Sequence, residues 1–177
     1  MTEEIRKPRR GLGIALAIFS AIIVAFGFVF FYYVYPVQSV GPAQPIPFSH
    51  RIHVTVKEID CRFCHNTVDY TRFAGMPPPE KCLFCHQYII PAHPRIADLR
   101  GYAERGEPIA WEKVTWLPDH VYFTHQRHVR FGLDCRECHG LVEAMDRVNR
   151  AQEFYMGFCL ECHQKHSVTV GCTVCHQ

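Results

Sequence analysis

Five copies of one short motif constrain this chain more than any other feature. All ten cysteines fall into the pattern C-x-x-C-H, and none lies outside it. Two thiols at this spacing reach the two vinyl groups of one haem, and the following His lies under the ring as an iron ligand. A zinc site, a redox disulfide or a disulfide scaffold also uses cysteine pairs, but none of these requires a His after every second Cys. The sequence therefore predicts five covalently bound haem c groups, attached through Cys61, Cys64, Cys82, Cys85, Cys135, Cys138, Cys159, Cys162, Cys172 and Cys175.

The motif histidines are the predicted proximal iron ligands, and they are His65, His86, His139, His163 and His176. About 140 residues follow the apolar segment near the N-terminus, which leaves little chain per haem for a separate apolar core. We therefore expect a multihaem cytochrome c fold with little β-structure, in which irregular chain and short helices wrap around the haems.

An internal repeat supplies candidates for the distal ligands, which bind an iron on the face opposite to the motif His. The pattern Phe-Ser/Thr-His-x-x-His occurs at residues 48–53 and again at 123–128, each time upstream of a haem motif. Two His three residues apart lie near each other on one face of a helical turn, so each can face a different haem. A surface His pair or a separate metal site is the alternative reading of either copy alone. The predicted distal ligands from the repeat are His50, His53, His125 and His128.

One distal position remains open after these four. Met156 lies three residues before Cys159 and is our first candidate, because a Met thioether is a known haem ligand that raises the potential. Filling a gap in the core is the alternative role for a Met. His166 and His93 compete with Met156, whereas His120 is expected to be structural. If every iron has six ligands, no substrate reaches the metal, which argues against catalysis at an iron.

The N-terminal region predicts a single membrane-spanning helix. Residues 11–35 contain no charged side chain, and 25 residues span roughly 37 Å as a helix, enough for a bilayer core of about 30 Å. A cleaved signal peptide normally has a shorter apolar region of about 7–15 residues. Basic residues before the span predict a cytoplasmic N-terminus (residues 1–10) and an extracytoplasmic, periplasmic location for the rest, in the cell membrane. They are Arg6, Lys7, Arg9 and Arg10.

Beyond the span, a Pro-rich linker is predicted at residues 36–47 and an extracytoplasmic pentahaem cytochrome c domain at 48–177. Within that domain we expect short helices at 95–106 and at 141–151. The formal net charge of +2, from 19 basic and 17 acidic residues, gives no indication of a nucleic-acid partner.

The repeated His pair upstream of C-x-x-C-H resembles the class III multihaem cytochromes. That resemblance implies that His50 serves the haem of His65 and His125 the haem of His139, while His53 and His128 serve other haems. The stretches 108–114, 117–125 and 156–163 further resemble the pentahaem cytochrome c subunit (ActA) of alternative complex III, a quinol-oxidising respiratory complex. This second resemblance covers most of the chain after residue 45.

The alternative complex III resemblance implies an electron-transfer subunit without a substrate site of its own. It would receive electrons from an iron–sulfur partner and pass them to a monohaem cytochrome, a soluble carrier or an oxidase, beside polytopic membrane subunits. The alternative is a self-sufficient membrane-anchored quinol dehydrogenase that feeds a periplasmic reductase. A multihaem reductase is a third reading, but it needs an open iron, often with Lys in place of the motif His, and no such motif occurs in this sequence.

Overall fold

The computed structural model describes residues 10–34 and 40–176, which belong to two units, Met1–Val40 and Gly41–Gln177. The charged cluster before residue 10, residue 35 of the predicted span and residues 36–39 of the predicted linker lie outside the described residues. The predicted orientation and the predicted domain boundaries therefore stay predictions.

The first unit contains one apolar helix. Helix α1 spans Arg10–Val29 and continues into a π-helical turn at Phe30–Val34. Within it, Gly11–Tyr33 is long and apolar enough to cross a membrane, and its bulky side chains are exposed all around the helix. A helix that is apolar on every side is buried in a large core or spans a bilayer. The helix is thus compatible with the single-pass anchor that we predict from residues 11–35.

Short helices carry all five motifs in the second unit. An isolated antiparallel bridge between Val121 and His176 is the only β-pairing in the part of the chain that the structure describes. This matches the expected fold of short helices with little β-structure. The helices are α2 at Cys61–Cys64, α3 at Pro79–His86, α4 at Pro94–Glu104, α5 at His125–Phe131, α6 at Cys135–His139, α7 at Met156–Lys165 and α8 at Cys172–Cys175, with a π-helical segment at Arg51–Val56 and a 3₁₀ turn at Val142–Ala144.

Local sequence explains where these helices begin. Asp60 caps α2 and Asp134 caps α6, each accepting a hydrogen bond of 2.8 Å from the backbone N–H two residues on. Glu137 completes a capping box by accepting from the Asp134 N–H at 3.0 Å. Pro occupies the first position of both α3 and α4, where its missing N–H costs nothing.

Of the two helices expected between the motifs, only one forms. Helix α4 at Pro94–Glu104 confirms the helix expected at 95–106. The helix expected at 141–151 is wrong, because only the 3₁₀ turn forms there. The side chain of Asp146 instead binds Ser49 at 2.6 Å and Arg51 at 3.0 Å, which ties this segment to the first His pair.

A small apolar core lies between α4 and the second motif. Leu99 is 2% exposed and packs with Ile46, Ile96 and Ile109. Partly buried neighbours close the cluster; they are Cys82, Leu83, Tyr102 and Trp111. The core therefore fixes helix α4 against helix α3, which carries the second motif.

We expect Leu99→Ala to lower the free energy of unfolding by about 2–5 kcal/mol, because it leaves a cavity in this small core. Thermal unfolding of the haem-loaded full chain, followed by circular dichroism, measures the effect. Leu141→Ala is the matched control, since Leu141 is 60% exposed and its truncation should change stability by less than about 0.5 kcal/mol. Equal losses in the two variants would contradict this location of the core.

Candidate functional site

Each motif folds as a helical turn that presents its two cysteines together. In α2, α6 and α8 the first Cys is the first residue of the helix, whereas in α3 and α7 it is the fourth. Residues three apart lie on the same face of a helix, so the two thiols of each motif are presented on one side. None of the ten cysteines forms a disulfide, which is compatible with thioether attachment to a haem.

Backbone carbonyls orient three of the motif histidines. Nδ1 of His65 lies 2.7 Å from the carbonyl oxygen of Gly75. Nδ1 of His86 lies 3.1 Å from the Ile89 oxygen, and Nδ1 of His163 lies 3.0 Å from the Thr169 oxygen. A carbonyl oxygen can only accept a hydrogen bond, so Nδ1 carries the proton and is the donor. The lone pair of Nε2 is then free for a metal, the arrangement usual for a ligating His.

The upstream pairs show the same arrangement. Nδ1 of His53 faces the Ser49 oxygen at 2.8 Å, and Nδ1 of His128 faces the Thr124 oxygen at 2.9 Å. Nδ1 of His125 reaches across the chain to the Arg72 oxygen, also at 2.9 Å. These three imidazoles therefore also keep Nε2 available.

Three of the upstream imidazoles each lie near a motif imidazole, at closely similar distances. Metal–imidazole bonds are about 2.0–2.1 Å and the ring centre lies roughly 1 Å farther, so two rings on opposite sides of one iron should be about 6 Å apart. The ring centroids are separated by 6.0 Å for His53 and His86, 6.2 Å for His125 and His139, and 6.1 Å for His128 and His163.

His50 is the fourth member of the two pairs, and it is half-buried. Burial lowers its pKa from 6.5 to about 4, and the nearby His65 and then His53 contribute further. Its Nδ1 is a buried nitrogen without a hydrogen-bond partner in the described part of the chain. A neutral imidazole beside His65 is the form that binds a metal.

The fifth motif also has an imidazole beside it. The ring of His120 lies 5.6 Å from the ring of His176, with 24° between the two planes. The sequence reading missed His120, because it stands alone upstream of the His125–His128 pair and is not part of the repeat. No local pattern indicates that it approaches the C-terminal motif.

The three other distal candidates occupy different positions. Met156 is the first residue of α7 and is 59% exposed. His166 ends the same helix, and its exposed ring packs edge-on against Phe131. Nδ1 of His93 accepts a hydrogen bond from the Arg95 N–H as the cap of α4. That bond requires the proton of His93 on Nε2, the opposite of the ligand tautomer.

Together these donors fit c-type haem. Each motif supplies two thiols on one side of a helical turn, followed by an imidazole. A second imidazole lies near each motif imidazole, in four cases at a centroid separation of 5.6–6.2 Å. An iron between two imidazoles has no open coordination position, so such a site transfers electrons and binds no substrate at the metal.

Cysteines of different motifs lie close enough to affect one another's pKa. Burial is the main cause that raises the pKa of Cys82, Cys135, Cys138 and Cys159, and in each case the next cause is a cysteine of another motif. These neighbours are Cys64 for Cys82, Cys61 for Cys135, Cys162 for Cys138 and Cys175 for Cys159. The links follow the order second, first, third, fourth and fifth motif.

Backbone contacts support the central link of this order. The backbone N–H of His125 donates to the Arg72 carbonyl oxygen at 3.1 Å, and that of Gln126 donates to the Thr71 oxygen at 3.2 Å. Both acceptors belong to the segment that follows the first motif. The first and third sites are therefore held together through residues 71–72 and the start of α5.

Comparison with known proteins gives one similar chain. No family model matches this sequence. A protein of Nitratidesulfovibrio vulgaris named "Menaquinone reductase, multiheme cytochrome c subunit" is 32% identical over 133 residues, which are 74% of this chain and 61% of that protein. The chain thus spans less than two thirds of the length of this relative. The similarity supports a multihaem cytochrome c and does not single out the alternative complex III subunit.

Proposed function

We propose that this chain, a multihaem cytochrome c, binds five haem c groups and is the electron-transfer subunit of a membrane-bound, quinone-linked respiratory complex. The observation that carries the proposal is the placement of a second imidazole about 6 Å from the motif imidazoles, as for His125 and His139. When bound, each haem carries one electron as its iron alternates between ferric and ferrous. We assign no catalytic residue, because the proposed ligands leave no site for a substrate at the metal.

The ligand assignment follows from the observed pairs. We propose that the ten motif cysteines hold the haems and that the five motif histidines are the proximal ligands. His50, His53, His125 and His128 then serve, in order, the sites of His65, His86, His139 and His163. Each upstream pair therefore bridges two neighbouring sites, the first pair linking sites one and two and the second pair linking sites three and four.

The arrangement of the motifs supports a single path for electrons. The order second, first, third, fourth and fifth places two sites at the ends and three between them. The backbone carbonyls that bind Nδ1 hold the imidazoles still, so little reorganisation accompanies a change of charge at the metal. We therefore propose that electrons enter at one end of this path and leave at the other.

Membrane attachment rests on α1. The apolar stretch Gly11–Tyr33 supports a single-pass anchor in the cell membrane, with the N-terminus cytoplasmic and the haem domain extracytoplasmic. The relative's name, a menaquinone reductase subunit, supports a link to the quinone pool.

The finer form of the proposal concerns partners and direction. The resemblance to alternative complex III favours electrons that come from a quinol through an iron–sulfur partner, with polytopic membrane subunits beside it. The electrons would then pass to a monohaem or soluble cytochrome or to an oxidase. The name of the similar protein instead supports electron flow toward menaquinone. Haems with two imidazole ligands can pass electrons toward the quinone or away from it. The reduction potentials of the partners therefore set the direction of electron flow.

Native gel electrophoresis of mildly solubilised membranes tests the proposal. The gel is stained for haem, and the stained band is identified by mass spectrometry. We expect the chain to migrate with an iron–sulfur subunit and polytopic membrane subunits, and quinone or quinol to exchange electrons with its haems. If the chain migrates alone and quinol still reduces it, the second candidate holds: a self-sufficient quinol dehydrogenase that feeds a periplasmic reductase.

A further inference from the structure

His120 lies beside His176, the imidazole of the C-terminal motif. Their ring centroids are 5.6 Å apart and their planes differ by 24°, so the rings are nearly parallel. The three pairs from the upstream repeat have separations of 6.0–6.2 Å. The His120 pair is therefore close to the separation expected for two imidazoles on one iron.

Backbone pairing fixes His120 in this position. Val121, the next residue, forms an antiparallel bridge with His176. The Tyr122 N–H donates to the Cys175 oxygen at 2.7 Å, and the Val121 N–H donates to the Pro118 oxygen at 2.9 Å. Segment 118–122 is thus hydrogen-bonded directly to the last motif. These backbone contacts bring His120 next to the last motif, and the conformations of the two side chains then set the distance between the rings.

The other candidates for this site have other positions or contacts. The Nδ1 of His93 caps helix α4. His166 packs against Phe131, and Met156 is the first residue of α7, the helix that carries the fourth motif. Of the twelve histidines, five are in motifs and four are in the upstream pairs, which leaves His93, His120 and His166. Of these three, His120 is the one whose ring lies beside that of His176.

We propose that His120 is the distal ligand of the fifth haem, binding through Nε2, in place of the Met156 expected from the sequence. This inference rests on the proposed attachment of haem at Cys172 and Cys175, and it does not depend on quinone or on any partner. All five sites then have two imidazoles. A thioether ligand raises the reduction potential of a haem relative to an imidazole ligand. The fifth haem should therefore have a lower potential with His120 than it would have with Met156.

Spectroscopy of the haem-loaded full chain tests this ligand. In His120→Ala, one haem in five should change from low-spin to high-spin, and added imidazole should restore the low-spin signal. In His120→Met, the same haem should stay low-spin, show the charge-transfer band of thioether ligation, and titrate at a higher potential. Met156→Leu and His93→Ala are the controls, and both should leave the absorption and electron paramagnetic resonance spectra unchanged.

The outcomes separate this inference from the proposed function. Five haems by mass with an unchanged low-spin spectrum in His120→Ala would overturn the His120 assignment alone. A high-spin haem in Met156→Leu would restore the thioether. A chain with fewer than five haems before any substitution would instead contradict the proposed function. The response to imidazole separates loss of a ligand from damage to the fold, because a misfolded site would not recover.

Discussion

Replacing Cys135 and Cys138 together by Ala is expected to divide electron transfer along the chain into two unconnected parts. The third motif lies in the middle of the proposed order second, first, third, fourth and fifth, and after burial Cys61 of the first motif is the next cause that raises the pKa of Cys135. Electron tunnelling slows exponentially with the distance between redox centres, so removing the middle haem should slow end-to-end transfer by orders of magnitude. Rapid-mixing spectroscopy should show the haems on one side reduced and those on the other side still oxidised.

The matched control removes a terminal haem instead. In Cys172→Ala with Cys175→Ala, the chain again keeps four haems, but these four remain neighbours. They should therefore all exchange electrons at the rate of the unmodified chain. Intact mass confirms that each variant carries four haems. If the two variants reduced their remaining haems equally fast and completely, the proposed order of sites would be wrong.

His128→Ala should alter the haem of the fourth motif and leave the third one unchanged, although His128 lies closer in sequence to Cys135 than to Cys159. The reason is the pairing of its ring with His163 at 6.1 Å, while His125 pairs with His139. Loss of the distal imidazole should give one high-spin haem. In His128→Met, the potential of that haem should rise by on the order of 100 mV, because axial ligands tune haem potentials over about 0.8 V.

Combination with motif knockouts identifies the affected haem. In a chain that lacks Cys159 and Cys162, His128→Ala should add no high-spin signal, because its haem is already absent. In a chain that lacks Cys135 and Cys138, the same substitution should still produce the high-spin signal. The reverse result would show that His128 serves the third site. Arg127→Ala, one residue away on an exposed position, is the control and should change neither spectrum.

The features that the sequence could predict are those encoded locally. A motif of five residues contains both thiols and one imidazole, and the cap residues Asp60 and Asp134 stand immediately before it. The repeat at 48–53 and 123–128 marked four imidazoles by their spacing alone. Helix α4, with Pro94 at its first position, was readable in the same way. Their roles as iron ligands remain predictions that spectroscopy must test.

The features that the sequence could not predict depend on contacts between distant segments. His120 approaches His176 through a backbone bridge across more than fifty residues, and neither flanking sequence marks that approach. His93 had the right residue type for a ligand, but its Nδ1 caps a helix. Residues 141–151 have helical spacing, yet the bonds of Asp146 to Ser49 and Arg51 tie that segment to the first His pair. Tertiary contacts therefore decided each of these outcomes.

Intact mass spectrometry of the full chain after c-type maturation, combined with its low-temperature electron paramagnetic resonance spectrum, counts the haems and reports their spin state. We expect the mass of the polypeptide plus five haems, with every ferric haem low-spin. A smaller number of haems, or a high-spin signal amounting to one haem or more in the unmodified chain, would contradict five sites that each have two imidazoles.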